Sequence, residues 1–229
     1  MARPYPGSGA SMADSRAAVL FDVDGTLLDT NYLHVMAWWE SFLARGHEVS
    51  CFDIHRALGQ GSTELVQSLL GERDDAVAEG HEERWGELRP RMIAFRGAAD
   101  LARACAERGL RVVLATSGTP EDVEDFRAAL GIDDVVHAVV NSGDVEQHKP
   151  APDIVLAALA VAGVTADRAV MVGDTVYDVR AAQAAGVPCI SLLAGGIGEV
   201  ELRKEDPAAV YANCSELLQG LADSPLAAL

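Results

Sequence analysis

Six short apolar runs, separated by stretches with helical periodicity, constrain the fold more than any other feature of this sequence. Most of the runs are continuous rather than alternating, as expected of strands that are buried on both faces of a parallel sheet. The runs are 17–21, 112–115, 135–140, 169–172, 187–192 and 208–211. Their alternation with helical segments predicts right-handed βαβ units and therefore an α/β fold with a doubly wound, Rossmann-like parallel sheet.

One interval between these runs is too long for a simple crossover. About ninety residues lie between the first and second runs, far more than a single helix requires. Helical periodicity continues through much of this interval, at 33–44, 64–70 and 74–88. We therefore predict an inserted all-helical cap domain at 31–91 and a Rossmann-like catalytic core formed by 16–30 and 92–229.

The charge balance is strongly acidic and limits the class of partner. Acidic residues number 35 and basic residues 18, which gives a formal net charge of −17. Such a surface disfavours binding to nucleic acid or to an anionic membrane, because both are bound largely through Lys and Arg. A small anionic substrate meets the same field, so a phosphate site in this chain needs its own local positive charge.

Composition also gives expectations about compartment and assembly. Residues 1–15 contain Pro, Gly and Ser and lack the apolar segment of a signal peptide, so we predict a disordered leader there. No run reaches the ~18 apolar residues of a membrane-spanning helix, and the four cysteines lack CxxC spacing. We expect a cytoplasmic protein that has reduced cysteines and is a monomer or a homodimer.

Polar side chains follow three of the predicted strands at the point where each strand ends. The first strand runs into Asp22-Val23-Asp24-Gly25-Thr26, the second into Thr116-Ser117-Gly118 and the fourth into Gly173-Asp174. His148-Lys149-Pro150 precedes the helix that leads to the fourth strand. Because ligands bind outside the carboxyl ends of parallel strands, we expect these groups to converge on one edge of the sheet.

Three aspartates at that edge predict a metal site. A single aspartate at a strand end often only caps the next helix, but Asp22, Asp24 and Asp174 together would repel one another unless a cation lay among them. Oxygen ligands without His or Cys favour Mg²⁺ over zinc. Asp178 is a further metal candidate, although a first-turn acid that interacts with the helix dipole would also explain it.

The same edge supplies groups suited to a phosphoryl group. Lys149 provides a compact cation, and the Thr116 hydroxyl together with the backbone N–H groups after it can hold phosphoryl oxygens. The turn at Gly25 and Thr26 is placed to do the same, since a tight turn that approaches a ligand often requires a positive φ.

Taken together, these motifs resemble those of the haloacid dehalogenase-like superfamily. Asp22-Val23-Asp24-Gly25-Thr26-Leu27, Thr116-Ser117, Lys149-Pro150 and Gly173-Asp174 with Asp178 occur in the family's order. Each lies at the expected strand or helix end, and the similarity covers residues 17–218. The helical insert after the first motif is similar to the subclass with a small α-helical cap, as in phosphoglycolate phosphatases and β-phosphoglucomutases.

The resemblance implies a reaction as well as a fold. Asp22 would attack the substrate phosphorus and form an aspartyl-phosphate, while Asp24 would protonate the leaving oxygen and then deprotonate the attacking water. The expected enzyme is a Mg²⁺-dependent phosphatase, a phosphoric monoester hydrolase. Its substrate would be a small phosphorylated metabolite, such as a sugar phosphate or a phosphoglycolate-like acid.

The resemblance also implies how the ligands are held. Mg²⁺ would lie between Asp22, the Asp24 carbonyl and Asp174, with Asp178 nearby. Thr116 and the Ser117 N–H would bind phosphate. Lys149 would orient Asp22 and offset negative charge.

Specificity residues are expected in the insert, because the cap loop of related enzymes faces the site. His34 lies shortly after the first motif, and a polar break between two predicted cap helices falls near 59–63. A lone His or Arg on a helix is more often structural than functional. The candidates are His34, Arg56, Gln60, Gly61 and Ser62.

Four other functions share parts of this pattern. A phosphomutase has the same catalytic set and differs mainly in excluding water from the aspartyl-phosphate. A non-catalytic phosphometabolite-binding protein would be expected to have lost one of the motif residues, and none is missing. A haloacid dehalogenase typically lacks the second aspartate, so Asp24 argues against it. A phosphonate hydrolase would need a cap lysine, and residues 31–88 contain none.

Overall fold

A six-stranded parallel sheet forms the centre of the protein. The computed structural model describes residues 16–229, and the predicted leader at 1–15 lies outside the described residues. The strand order is β3-β2-β1-β4-β5-β6, and all pairings are parallel. The strands are β1 (Ala17–Phe21), β2 (Leu110–Ala115), β3 (Val136–Val140), β4 (Ala169–Gly173), β5 (Cys189–Leu192) and β6 (Ala209–Tyr211). This topology confirms the predicted doubly wound, Rossmann-like fold class.

Ten α-helices connect and cover the strands within residues 16–229. Four of them lie between β1 and β2, namely α1 (Asn31–Ala44), α2 (Cys51–Ala57), α3 (Ser62–Leu70) and α4 (Asp75–Leu88). The other six are α5 (Ala98–Glu107), α6 (Asp122–Leu130), α7 (Asp153–Ala162), α8 (Val176–Ala184), α9 (Glu199–Leu202) and α10 (Cys214–Gln219). None of these described helices has both the length and the apolarity needed to cross a bilayer.

The continuous apolar run of β1 is explained by burial on both of its faces. Val19 and Phe21 point into one core, which includes residues of α5, α6 and α10. Ala18 and Leu20 point into a second core on the opposite face, which includes residues of α7 and α8. Because successive side chains of a strand point to opposite faces, a strand between two helical layers needs apolar residues at every position.

The helices between β1 and β2 have a hydrophobic core of their own. Val35, Trp38 and Phe42 of α1 pack with residues of α2, α3 and α4 in a cluster separate from the two sheet cores. Helix α1 contacts α4 along much of its length and also packs against α2. The segment that follows β1 therefore packs as a helical unit with an apolar core of its own.

Two short helices depart from the sequence expectation. Helix α2 ends just before the polar break predicted near 59–63, and its start is capped by the Ser50 hydroxyl, which accepts from the Asp53 N–H. Helix α10 begins after Asn213, whose side chain accepts from the Glu216 N–H. Helices of six or seven residues span fewer than two turns, so they carry too little periodicity to be read from the sequence.

Candidate active site

The motif residues lie at the carboxyl edge of the sheet, at the ends of three adjacent strands. Phe21, the last residue of β1, pairs with Leu114 of β2 and with Val172 of β4. The residues that follow these strands therefore emerge side by side. Asp22 continues β1 by donating its N–H to the Val172 carbonyl, and Asp174 directly follows β4.

Three buried carboxylates form the centre of this edge. Asp22, Asp174 and Asp178 each present an oxygen, and these oxygens lie within 4.8 Å of one another. Burial raises the pKa of Asp22 to about 7, against the opposing effect of Lys149. Burial, together with the charges of Asp178 and Asp22, also raises the pKa of Asp174 well above its usual value. The cluster is short of positive charge.

Lys149 is the cation that the protein itself contributes to this cluster. Its side chain is 1% exposed, and its Nζ lies 2.6 Å from Asp22 Oδ1 and 2.7 Å from Asp178 Oδ1. Burial alone would lower the pKa of Lys149, but the charges of Asp178 and Asp22 outweigh it and raise the pKa. One lysine against three aspartates leaves a buried excess of negative charge.

This donor set fits a hard divalent cation. The gathered ligands are carboxylate oxygens, and among the described residues no His or Cys joins the cluster. A cation bound between Asp22 and Asp174 would offset the repulsion that burial intensifies. Asp178 holds the Lys149 ammonium and also accepts from the Thr175 N–H at 2.9 Å and from the Thr175 hydroxyl at 2.6 Å. It therefore both caps α8 and braces the cluster.

Asp174 is oriented by two residues of the segment that follows β1. The Thr26 hydroxyl donates to Oδ1 at 2.9 Å, and the Asn31 amide donates to Oδ2 at 3.0 Å and to the Gly195 carbonyl at 3.0 Å. Gly25 has φ +72°, as the sequence predicted for this turn, and a β-carbon there or at Gly195 would overlap the Asp174 carboxylate. The Thr26 hydroxyl is thus directed at Asp174 rather than at a phosphate position.

Asp24 lies beside this cluster and has a different environment. Its Oδ1 accepts from the Thr30 hydroxyl at 2.7 Å and lies 3.3 Å from His34 Nε2, while the Thr116 hydroxyl donates to Oδ2 at 3.4 Å. Burial raises the pKa of Asp24, but the hydrogen bonds from His34 and Thr30 outweigh burial and lower it. Asp22 and Asp24 are therefore two neighbouring carboxyl groups whose pKa values move in opposite directions, as expected where their roles differ.

Four rings from α1 and α4 stack next to Asp24. His34 lies 3.8 Å from the Trp85 ring centre and His81 lies 3.9 Å from that of Trp38. The two histidines are joined by a 3.1 Å contact between His34 Nδ1 and His81 Nε2. Burial, together with His34, lowers the pKa of His81 well below its usual value, so this ring is neutral. The stack holds His34 against Asp24.

Asp122 joins the helical insert to the core. The residue is 3% exposed, and Oδ1 accepts from Trp85 Nε1 and from Arg89 Nη1, both at 2.8 Å. Its Oδ2 accepts from the Thr119 N–H at 2.8 Å and from the Thr119 hydroxyl at 2.9 Å. A single carboxylate therefore connects the end of α4 to the start of α6.

Replacing Asp122 by Ala is expected to lower the free energy of unfolding by about 3 kcal/mol. The substitution leaves a buried indole N–H without an acceptor and removes one partner of Arg89. Chemical denaturation measures the loss. Glu124→Ala, at an exposed position of the same helix, serves as the control and should change stability by less than about 0.5 kcal/mol. Equal losses in the two variants would contradict this role.

A cleft of about 710 Å³, counting its opening to solvent, lies between this edge of the sheet and the helical insert. Asp22, Asp24 and Ser117 line its floor, and residues of α1 and α4 line its roof. The Thr116 hydroxyl does not line the cleft but accepts from the Gly118 N–H at 2.9 Å, and Gly118 does line it. The cleft is therefore lined by motif residues that follow β1 and β2, together with Thr175 after β4, whereas Asp174, Asp178 and Lys149 do not line it.

The specificity candidates from the insert divide into two groups. His34, Gln60 and Ser62 line the cleft, and Gly61 packs closely against the His148 ring. Arg56 is a wrong candidate: its guanidinium forms two 2.6 Å hydrogen bonds with Glu201 and faces a separate groove. Its position on the outer side of α2 directs it away from the cleft.

Several residues that contribute to the site were not predicted from the sequence. They are Thr30, Asn31, His81, Glu82, Trp85, Asp122 and Gly195. Thr30 and Asn31 had a usable signal, since two polar residues follow the first motif where the first helix of the insert begins. Gly195 likewise follows β5 at the edge where ligands bind. The remaining four become recognisable only once α4 packs over the sheet.

Comparison with curated proteins gives a consistent group of relatives. A family model described as haloacid dehalogenase-like hydrolase matches residues 17–186. Protein CbbY of Cereibacter sphaeroides is 35% identical over 191 residues, which cover 76% of this chain and 82% of that protein. Phosphoglycolate phosphatase of Pseudomonas putida is 28% identical over 216 residues, which cover 90% of this chain and 79% of that protein.

A further relative is much longer than this chain. Protein SUPPRESSOR OF QUENCHING 1, chloroplastic, of Arabidopsis thaliana is 33% identical over 186 residues, which cover 77% of this chain. The chain spans 18% of the length of that protein.

Solved structures show the same architecture. A hydrolase from Pseudomonas syringae superposes with a TM-score of 0.85 at 30% identity, covering 91% of this chain and 99% of that one. CbbY from Rhodobacter sphaeroides in complex with phosphate superposes with a TM-score of 0.72 at 27% identity, covering 88% of this chain and 96% of that one.

Proposed function

Because this chain belongs to the haloacid dehalogenase-like hydrolase family, we propose that it is a Mg²⁺-dependent phosphatase that hydrolyses a small phosphorylated metabolite. The observation that carries the proposal is the meeting of Asp22, Lys149, Asp174 and Asp178 at one buried point, with Asp24 beside them. Relatives that are named phosphoglycolate phosphatase, and a similar structure that contains phosphate, support a phosphate ester as the substrate class.

In the first step, a carboxylate oxygen of Asp22 attacks the substrate phosphorus and the bond from phosphorus to the leaving oxygen breaks. Asp24 gives its proton to that oxygen, so an alcohol departs and an aspartyl-phosphate remains. The hydrogen bonds from His34 and Thr30 lower the pKa of Asp24. The negative charge of a bound phosphate raises this pKa and favours the protonated form. Lys149 holds Asp22 Oδ1 in place at 2.6 Å.

In the second step, water attacks the phosphorus of the aspartyl-phosphate and Asp24 takes up a proton from that water. The bond from phosphorus to Asp22 breaks, which releases phosphate and regenerates the carboxylate. Asp24 is held for this work by Thr30 and His34, whose hydrogen bonds favour its charged form. Thr116, at 3.4 Å from Oδ2, limits rotation of the same carboxylate.

The metal proposal follows from the ligand chemistry of the site. Asp22, Asp174 and the Asp24 carbonyl would hold Mg²⁺, with Asp178 beside them through Lys149. When bound, the cation supplies positive charge to the phosphoryl oxygens as negative charge develops on them. Thr26 and Asn31 fix the Asp174 carboxylate for this purpose.

We also propose that the helical insert works as a cap, with domain limits of 31–91 for the cap and 16–30 with 92–229 for the core. Four hydrogen bonds between the insert and the core support the role of the insert as a cap. Asn31 and His55 both bind the Gly195 carbonyl, and Trp85 and Arg89 both bind Asp122. A cap held in this way limits the access of bulk water to the cleft.

The experiment that tests the proposal is phosphate release from p-nitrophenyl phosphate and from a panel of phosphorylated metabolites. We expect turnover with Mg²⁺, its loss in EDTA and its return when Mg²⁺ is added back. Mg²⁺ at about 100 times its Kd should also raise Tm by about 5 °C or more. Asp174→Asn should lose this rise in Tm, whereas the exposed control Asp167→Asn should keep it.

The possible outcomes separate the candidate functions. No phosphate release from any ester, or turnover that EDTA leaves unchanged, would overturn the proposal. Isomerisation of a phosphosugar without release of phosphate would instead support a phosphomutase. Light scattering on the same preparation tests the monomer or homodimer expected from the sequence.

A further inference from the structure

The wall of the cleft that faces the leaving group is the part of the site that distinguishes one phosphate ester from another. Attack by Asp22 in line with the leaving oxygen places that oxygen on the far side of the phosphorus, next to Asp24. The group it carries must then extend into the space lined by Trp38, Glu82, Trp85 and Asp122.

No lysine or arginine of the described residues lines this cleft. The ionisable side chains that line the cleft away from the sheet edge are those of Glu82, Asp122, His34 and His81. Arg89 approaches Asp122, but its guanidinium is also 2.6 Å from Asp125, so two carboxylates share one cation. Burial raises the pKa of Glu82, and the charges of Asp122 and Glu121 raise it further, whereas His34 and Arg89 oppose the rise.

The two histidines contact each other, and His34 also contacts Asp24. His81 is buried, and among residues 16–229 its ring forms a hydrogen bond with His34 alone. His34 uses its other ring nitrogen toward Asp24. Carboxylates and phosphates are normally recognised by Arg or Lys, often through paired hydrogen bonds. The cleft is lined instead by Gln60, Ser62 and two tryptophans, Trp38 and Trp85.

We propose that the substrate is a monophosphate ester of an uncharged, hydroxyl-bearing alcohol, and that the cleft discriminates against a leaving group that carries a carboxylate or a second phosphate. The inference rests on the proposed phosphatase function and narrows its substrate class. It separates this chain from the phosphoglycolate phosphatase that it resembles, whose named substrate carries a carboxylate.

The test compares two esters that differ in one group. 2-Hydroxyethyl phosphate and phosphoglycolate have the same two-carbon skeleton, and the terminal carbon is an alcohol in one and a carboxylate in the other. We expect kcat/KM to be at least about ten-fold higher for 2-hydroxyethyl phosphate, which corresponds to ~1.4 kcal/mol. A hexose 6-phosphate should exceed the matching 1,6-bisphosphate in the same way. Equal or better turnover, in both pairs, of the ester that carries a second anionic group would overturn the inference.

A charge reversal on the wall makes the test specific to the cleft. Glu82→Lys should shift the ratio of the two kcat/KM values toward phosphoglycolate by about ten-fold or more. Glu83→Lys is the matched control, because it makes the same charge change at an exposed neighbour on α4 that does not line the cleft. A shift of equal size in both variants would contradict a role for this wall.

The two proposals fail in different ways. If the protein hydrolyses no phosphate ester, including p-nitrophenyl phosphate, the phosphatase function itself is wrong. If it hydrolyses p-nitrophenyl phosphate and prefers the esters that carry a second anionic group, the function stands and the inferred substrate class is wrong. Should Glu82→Lys fail to fold, the comparison of paired esters with the unaltered protein decides the question alone.

Discussion

Replacing Asp22 by Asn is expected to lower kcat by at least about 10⁴-fold while the protein remains folded. An amide oxygen is too poor a nucleophile to form the acyl phosphate, so the chemical step loses its attacking group. The fold should tolerate the change, because Asn is isosteric and Lys149 keeps its 2.7 Å contact with Asp178. Phosphate release and thermal unfolding, measured on the same preparation, check both parts.

The matched control for this variant is Asp29→Asn. Asp29 is exposed and lies shortly after the same motif, outside the cleft. Its activity should stay within about two-fold of the unaltered protein, since exposed substitutions away from a site have small effects. If Asp22→Asn retains a tenth or more of the original kcat, Asp22 is not the nucleophile.

Lys149→Met is expected to cause the largest loss of stability, about 3–5 kcal/mol and roughly 10 °C in Tm at pH 8 in EDTA. The chain has two lysines, Lys149 and Lys204, and only Lys149 is buried. Methionine fills a similar volume but leaves Asp22 and Asp178 without their cation. The substitution should also lower kcat by at least about 10²-fold, because charge stabilisation at the phosphoryl group is lost.

The pH dependence of this deficit is a separate and sharper test. Burial raises the folded-state pKa of Asp22 to about 7, above the unfolded value near 3.8. A raised pKa means that the folded state binds more protons, so stability falls as pH rises from about 4 to about 7. Lys149 opposes the rise in the pKa of Asp22, so in Lys149→Met this carboxyl group is protonated more readily. The loss of stability caused by Lys149→Met should therefore be smaller at pH 5 than at pH 8. Lys204→Met, the exposed control, should show neither the deficit nor its pH dependence.

The sheet and its ligand-binding edge were predictable because their signals are local. Complete burial of a central strand forces a continuous apolar run, and β1 shows this in every residue from Ala17 to Phe21. The polar groups that follow such runs must then lie at one edge of a parallel sheet, whatever the loops do. This explains why Asp22 and Asp174 could be placed together although about 150 residues separate them.

The cap side of the cleft could not be predicted in the same way. His34, His81 and Trp85 come together because α1 packs on α4, and Asp122 meets Trp85 only after that pair lies over the core. No sequence spacing encodes these approaches. Arg56 shows why such positions are hard to predict. Its place in a polar segment suggested a ligand contact, but the orientation of α2 places its guanidinium against Glu201.

The most direct test of Asp22 as the nucleophile is to trap the aspartyl-phosphate. The enzyme is quenched with acid during turnover of a phosphate ester with Mg²⁺, reduced with borohydride, digested and analysed by mass spectrometry. Reduction converts an aspartyl-phosphate into homoserine. We expect homoserine at position 22, dependent on substrate and absent from Asp22→Asn. An acyl phosphate on another residue, or active turnover with no acyl phosphate at any quench time, would contradict it.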